Sequence, residues 1–140
     1  MDAIILSAGK GTRIREFNPD VPKALLEIRG KPLITYILDN LIGTVDIAII
    51  IIGFMGSKIK ERLGKYYKNI QLIYVEQKEI DGTASAIFLA KKIVSENFLV
   101  VTGDCYYSQE DIEKCAKYEY SILVREPNPM LDGGVVLDEN

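Results

Sequence analysis

Residues Ile4 to Lys23 read IILSAGKGTRIREFNPDVPK. An apolar run, Ala3 to Leu6, gives way to small and turn-forming residues: Ser7, Ala8, Gly9, Gly11 and Thr12. Arg13 stands beside them, and Lys23 follows a loop that contains Pro19 and Pro22. Glycines let backbone approach a ligand closely, and successive amide N–H groups make a concavity that favours anions. An arginine fork can grip phosphate oxygens, and a lysine supplies a compact charge where negative charge develops. After a buried strand, a loop of this kind points to a phosphorylated nucleotide. Standing alone, a glycine-rich loop is explained equally well as a tight turn.

The rest of the composition narrows the choice. A chain of 140 residues suits one domain, taken as 1–140, with a real core. The formal net charge of −3 gives no broad basic field, so nucleic acid is not expected as a partner. No apolar run approaches the roughly 20 residues that span a bilayer, so no membrane association is expected. Asp2 and the lack of a basic region before the first apolar stretch argue against a signal peptide. Cys105 and Cys115 are too few for a disulfide framework and are read as reduced thiols of a cytoplasmic protein. The chain has no histidine, which removes Ser–His and Cys–His nucleophiles and disfavours a zinc site. Chemistry is left to carboxylates, Lys, Arg, backbone amides and a hard metal, the set that phosphoryl or nucleotidyl transfer needs.

Strand-like and helix-like patterns alternate along the chain. Strands are expected at 2–7, 47–52, 70–75, 98–102 and 120–125, with a further one beginning at 134–137. A short extended segment is expected at 24–28. The apolar positions Leu33, Ile34, Ile37, Leu38, Leu41 and Ile42 trace one helix face. Further helices are expected at 57–67, where Ile59, Leu63 and Tyr66 have helical spacing, at 82–94, and from Ser108, where Asp111 completes a capping box. The unbroken run Ile47 to Ile52 fits a strand covered on both faces. The fold expected is α/β: a Rossmann-like three-layer sandwich around a mostly parallel sheet. Ligands in such sheets collect beyond the carboxyl ends of the strands, and the loops 8–23, 76–83 and 103–106 all follow strands.

Two better-known phosphate loops do not fit. The G-x-x-x-x-G-K-[ST] pattern needs glycine where Ile4 stands, and Gly11 occupies the place of its hydroxyl residue. The dinucleotide pattern G-x-G-x-x-G fails at Ile14. Two further constellations accompany the loop. In 77–84, QKEIDGTA, the Gln77 amide offers a donor and an acceptor that match a base edge, and Gly82 can offer its backbone to the same base. A helix start capped by Asp81 explains that stretch as well. In 100–104, VVTGD, the Asp104 carboxylate lies just past a strand, where it suits Mg²⁺ or simply a turn.

Taken together, Gly9-Lys10-Gly11-Thr12-Arg13 with Pro22-Lys23, Gln77 with Gly82-Thr83-Ala84, and Gly103-Asp104 resemble the signature of the sugar-1-phosphate nucleotidyltransferases. These are also called nucleoside-diphospho-sugar pyrophosphorylases. The resemblance is to the N-terminal, nucleotide-binding part, without the family's later pieces, so a C-terminally truncated domain is expected. It implies transfer of a nucleoside monophosphate from an NTP to a sugar-1-phosphate, with UTP or dTTP as donor and Mg²⁺ as cofactor. It assigns catalysis to Arg13 and Lys23, and the metal to Asp104. Nucleotide contacts fall to Leu6, Ala8, Gly9, Gly11, Thr12, Gln77, Gly82 and Thr83. A shorter match, Asp132-Gly133-Gly134-Val135-Val136, resembles the segment that seats the sugar and points to Gly134, although a hairpin turn explains two adjacent glycines equally well. A cytidylyltransferase acting on a non-sugar phosphate and a nucleotide-binding regulatory module without catalysis are the alternatives. A homo-oligomer stays open.

Overall fold

The computed structural model describes residues 1–9, 11, 19–79 and 81–124. Its centre is a five-stranded sheet with four parallel strands: β1 (Asp2–Ser7), β4 (Ile47–Ile52), β6 (Ile70–Glu76) and β7 (Phe98–Thr102). A short antiparallel strand, β5 (Tyr66–Tyr67), closes one edge, and the order is β5-β6-β4-β1-β7. Four helices pack on the sheet: α1 (Leu33–Leu41), α2 (Gly56–Leu63), α3 (Thr83–Leu89) and α4 (Gln109–Cys115). This is the expected Rossmann-like α/β sandwich.

Alternation along the strands builds the two cores. On one face Ala3, Ile5, Ala48, Ile50 and Ile52 meet Ile34, Ile37, Leu38 and Leu41 of α1, Ile59 of α2 and Ile112 of α4. On the other, Ile4, Ile49 and Ile51 meet Ala86 of α3 and Ala90 just beyond it. The two middle strands are therefore apolar at successive positions because both faces are covered. Small side chains at Ala86 and Ala90 let α3 lie close on the sheet. Asp2 is buried at the foot of β1, where its carboxylate accepts a 2.7 Å hydrogen bond from the Ser95 amide ahead of β7.

Several expectations are corrected. The segment 24–28 is not uniformly extended: Lys23–Leu25 form one 3-10 turn, and only Glu27–Ile28 (β2) are a strand, paired with Lys31–Pro32 (β3). Arg29 and Gly30, both at positive φ, make the tight turn between them. Helix α2 stops at Leu63 because Gly64 takes φ 71°, so Tyr66 belongs to β5 rather than to a helix. Helix α3 is shorter than expected and passes into turns after Leu89. Residues 120–124 are irregular and form no strand; Tyr120, Ile122 and Val124 are exposed. The expected strand at 134–137 lies outside the described residues. No helix among the described residues is long and apolar enough to cross a membrane.

Candidate functional site

The parallel register sets the strand ends level. Ser7 pairs with Ile52, Ile52 with Glu76, and Leu6 with Thr102, so the loops after β1, β4, β6 and β7 leave from one rim. From β1 the chain turns toward β4 and β6, then crosses back to place β7 on the other side of β1. Loops diverge at such a switch point and leave a crevice. A cavity of about 450 Å³ opens there, lined by Leu6, Ser7, Gly9, Gly11, Lys23, Ala24, Thr83, Thr102, Gly103 and Asp104. A larger groove, about 710 Å³, runs along β7 beside residues 118–123 and is lined by none of the candidate site residues.

Lys23 is aimed at this crevice by its neighbours in sequence. Pro22 holds φ −65°, the Leu25 amide donates to the Pro22 carbonyl at 2.8 Å, and Ala24 is buried in the core. The Lys23 backbone is thus fixed while its side chain is partly exposed. Gly11, at φ +58°, brings the first loop back so that a Cβ there would stand 3.5 Å from Lys23 Cβ. On the opposite wall, the Gly103 amide donates to the Leu6 carbonyl at 2.8 Å, which seats Asp104 at the rim. Lys23 Nζ meets Asp104 Oδ2 at 2.6 Å. That hydrogen bond, with the lysine charge, holds the Asp104 carboxyl below its usual range against the opposing effect of partial burial.

The structure gathers Leu6, Gly9, Gly11, Lys23, Thr83 and Asp104 in one crevice, as the three-loop argument requires. Ala8 lies beside them but is buried, its carbonyl so close to Gly53 that a Cβ there would approach to 2.6 Å. Gln77 and Gly82 are on the same rim without lining the cavity. Gln77 is buried, and its Nε2 donates at 3.2 Å both to Asp81 Oδ1 and to the Gly82 carbonyl, closing its own loop. Gly82, not Asp81, caps α3; its φ of +126° favours glycine. Asp81 is held below its usual range chiefly by a hydrogen bond from Ser85. Thr12, Arg13 and Gly134 lie outside the described residues.

Two contributors escaped the sequence reading. Tyr107 braces the Asp104 turn: its hydroxyl accepts from the Thr102 amide at 3.2 Å and shares a 2.8 Å hydrogen bond with Thr102 Oγ1. Ser7 Oγ is buried in the crevice wall with no hydrogen-bond partner among the described residues. Nothing in a tyrosine five residues after a threonine announces such a brace.

The donor set fits magnesium of one kind only. Among the described residues no group of three His, Cys, Asp or Glu side chains converges, so there is no all-protein cage. Mg²⁺ is commonly held by one or two carboxylates together with substrate phosphates, and Asp104 at the mouth of the crevice, beside Gly9 and Gly11, is compatible with that pattern.

Fold and crevice together define a doubly wound α/β protein with a crevice at its switch point. A family model described as nucleotidyl transferase matches residues 2–121, and the chain belongs to that family. It is 41% identical over 141 aligned positions to the bifunctional protein GlmU of Methanocaldococcus jannaschii, covering 99% of this chain and 33% of that protein. It is 31% identical over 105 positions to the UTP–glucose-1-phosphate uridylyltransferase AglF of Haloferax volcanii, covering 74% of this chain and 43% of that one. Among solved structures, a putative glucose-1-phosphate thymidylyltransferase from Bacillus anthracis superposes with a TM-score of 0.73 at 26% identity, covering 84% of this chain and 50% of that one. The inositol-1-phosphate CTP transferase from T. maritima gives 0.61 at 32% identity, covering 74% and 43%. The chain spans about a third of the length of the GlmU proteins it matches.

Proposed function

We propose that residues 1–140 belong to one nucleotidyltransferase-type domain and supply the nucleotide-binding part of an enzyme, cytoplasmic by its composition, that makes a nucleotide-sugar from an NTP and a sugar-1-phosphate. The observation that supports this most is the meeting of Lys23, Asp104 and the glycine loop in one crevice. A phosphate oxygen of the sugar-1-phosphate attacks the α-phosphorus of the NTP; the bond to the β-phosphate bridging oxygen breaks, and pyrophosphate leaves. The attacking oxygen is already anionic, so no general base is needed, in keeping with a chain that has no histidine. The barrier is then charge repulsion and alignment.

Gly9, Gly11 and Thr12 cradle the triphosphate with their backbone, and Arg13 holds the leaving pyrophosphate. Lys23 neutralises the α-phosphate or the incoming phosphate. Asp104 would share Mg²⁺ with phosphate oxygens, and the ion would supply charge neutralisation there. Leu6 and Thr83 wall the nucleoside, with Ala8 and Gly82 beside them on the rim. Gln77 Nε2 already donates within its own loop, so the acceptor oxygen of the amide is the group that would meet the imide N–H of uracil or thymine. An amide oxygen accepts from the N–H groups of the other bases as well, so the choice of UTP or dTTP as donor is supported by the similarity to the Haloferax and Bacillus proteins.

Melting curves of the chain with UTP, dTTP, CTP, ATP and GTP, each with and without Mg²⁺, test the reading. A ligand that binds only the folded chain raises its melting temperature. The largest rise is expected with UTP or dTTP plus Mg²⁺, and no rise with any nucleotide overturns the reading. A larger rise with CTP would favour a second reading, a cytidylyltransferase for a non-sugar phosphate, which the similarity to the T. maritima protein supports.

A further inference from the structure

We propose that Lys23 is the resident counter-ion of the cation site, so that Asp104 takes up a divalent ion only together with a nucleotide. The inference rests on the preceding reading of Asp104 as the residue that faces metal-bound phosphates. The two side chains come from loops separated by 81 residues, and the fold alone brings Nζ to 2.6 Å from Oδ2. As a pair they carry no net charge. The other carboxylate oxygen, Oδ1, has the Cys105 thiol at 3.8 Å, a poor partner for a cation to exploit.

A hydrated divalent ion arriving alone therefore finds one carboxylate, already neutralised, and no second acidic side chain among the described residues that line the crevice. Magnesium gives up its water reluctantly and needs more negative charge than that. A triphosphate in the glycine loop changes both sides of the competition. It offers the ion several anionic oxygens, and it offers the ammonium a rival anion.

The pair is built for such an exchange. Both side chains are more than a third exposed, so water screens their attraction and the contact is easily traded. Pro22 and the buried Ala24 fix the lysine backbone, and Gly11 lies against the base of the stem. Only the flexible four-carbon chain has to swing, carrying its charge from Asp104 to a phosphate in the crevice. Until then the carboxylate stays neutralised, and a cation cannot occupy the crevice ahead of its substrate.

The test is a titration of the 140-residue chain with Mn²⁺, a paramagnetic stand-in for Mg²⁺, read by electron paramagnetic resonance. Wild-type chain alone is expected to bind no Mn²⁺ below the millimolar range, and to bind it in the presence of UTP or dTTP. Lys23→Met, and independently Lys23→Gln, should bind Mn²⁺ without nucleotide at least tenfold more tightly than wild type. Adding Asp104→Asn to either variant should abolish that gain. Circular dichroism of each variant verifies its fold. Equal nucleotide-free Mn²⁺ affinities in wild type and both Lys23 variants overturn the counter-ion role, as does tight binding by wild type alone. If wild type still binds Mn²⁺ with nucleotide in those cases, only the counter-ion role falls. If nucleotide neither binds nor brings Mn²⁺ to wild type, the nucleotidyltransferase reading falls with it.

Discussion

Position 103 has no room for a methyl group: a Cβ there would stand 2.1 Å from Ser7 Oγ and 2.9 Å from the Leu6 carbonyl oxygen. The Gly103 amide also donates to that carbonyl, so β1 and the Asp104 turn are in direct contact at the rim. Gly103→Ala must push the two apart, at a cost of about 1–3 kcal/mol. Ser7→Ala removes a buried hydroxyl that has no partner among the described residues, and is expected to be neutral or to stabilise by up to about 1 kcal/mol. The double variant should be more stable than the sum of the two predicts, by about 0.5 kcal/mol or more, because one clash is removed. Urea unfolding of the four proteins measures this, and strict additivity would contradict the packing.

Asp39 is the ionic anchor of α1. Its carboxylate accepts hydrogen bonds from Lys31, from Lys68 at 2.7 Å and from the Tyr67 hydroxyl at 3.0 Å. Partial burial pushes the Asp39 carboxyl up, but these partners outweigh it and hold the group down at about 2. A carboxylate whose folded-state value is depressed stabilises the fold above its unfolded value, near 3.9, and loses that contribution as pH falls toward 2. Asp39→Asn should therefore destabilise the chain at pH 7 by about 1–2 kcal/mol, with the gap to wild type closing on acidification from pH 5 to 2. Urea midpoints of both proteins across that range test it; a gap independent of pH would refute it.

The fold was legible where burial dictates sequence. The run Ile47 to Ile52 fits a strand covered twice, the apolar positions from Leu33 to Ile42 fit one helix face, and both elements are found there. Errors arose where the outcome depends on a partner. Tyr66 keeps helical spacing with Ile59 and Leu63, yet Gly64 breaks the helix and Tyr66 and Tyr67 find β6 alongside. Residues 120–124 are rich in β-forming side chains, but propensity supplies no ladder, and there they have none. At the crevice, residue types and spacing brought out Lys23 and Asp104, which touch. The inward turn of Gln77 and the brace from Tyr107 depend on tertiary placement that spacing does not encode.

Helix α4 begins where its sequence signal places it. The Asp111 amide donates to Ser108 Oγ at 3.1 Å, and the Ser108 hydroxyl donates in turn to Asp111 Oδ2 at 2.5 Å. Glu110 and Asp111 put negative charge in the first turn, which complements the helix dipole. The preceding residue, Tyr107, has its carbonyl tied to Asn40 Nδ2 at 2.7 Å and its hydroxyl on Thr102. Ser108→Ala should cost about 1 kcal/mol as the loss of a cap. Tyr107→Phe should cost a similar amount, as the loss of a part-buried hydrogen bond, and should also loosen the Asp104 turn. Hydrogen exchange separates the two effects: protection falls throughout α4 in Ser108→Ala, but chiefly at 102–104 in Tyr107→Phe. The same exchange pattern in both would refute separate roles.

Lys23 and Arg13 are assigned to different phosphates, and kinetics can tell them apart in a protein long enough to turn over substrate. If each meets charge that develops in the transition state, Lys23→Ala and Arg13→Ala should each lower kcat/KM by two decades or more, on the order of 3 kcal/mol. The loss should fall mainly on kcat, because removing a group that binds ground and transition states equally would raise KM alone. Lys23→Arg should not rescue. The lysine backbone is fixed by Pro22 and Ala24, the base of its side chain lies against Gly11, and a longer planar head would overrun the 2.6 Å reach to Asp104. Arg13→Ala should weaken pyrophosphate in the reverse reaction, whereas Lys23→Ala should leave pyrophosphate affinity nearly unchanged while slowing turnover. Wild-type turnover in either alanine variant, or equal loss of pyrophosphate affinity in both, would show that the two cations do not divide the work in this way.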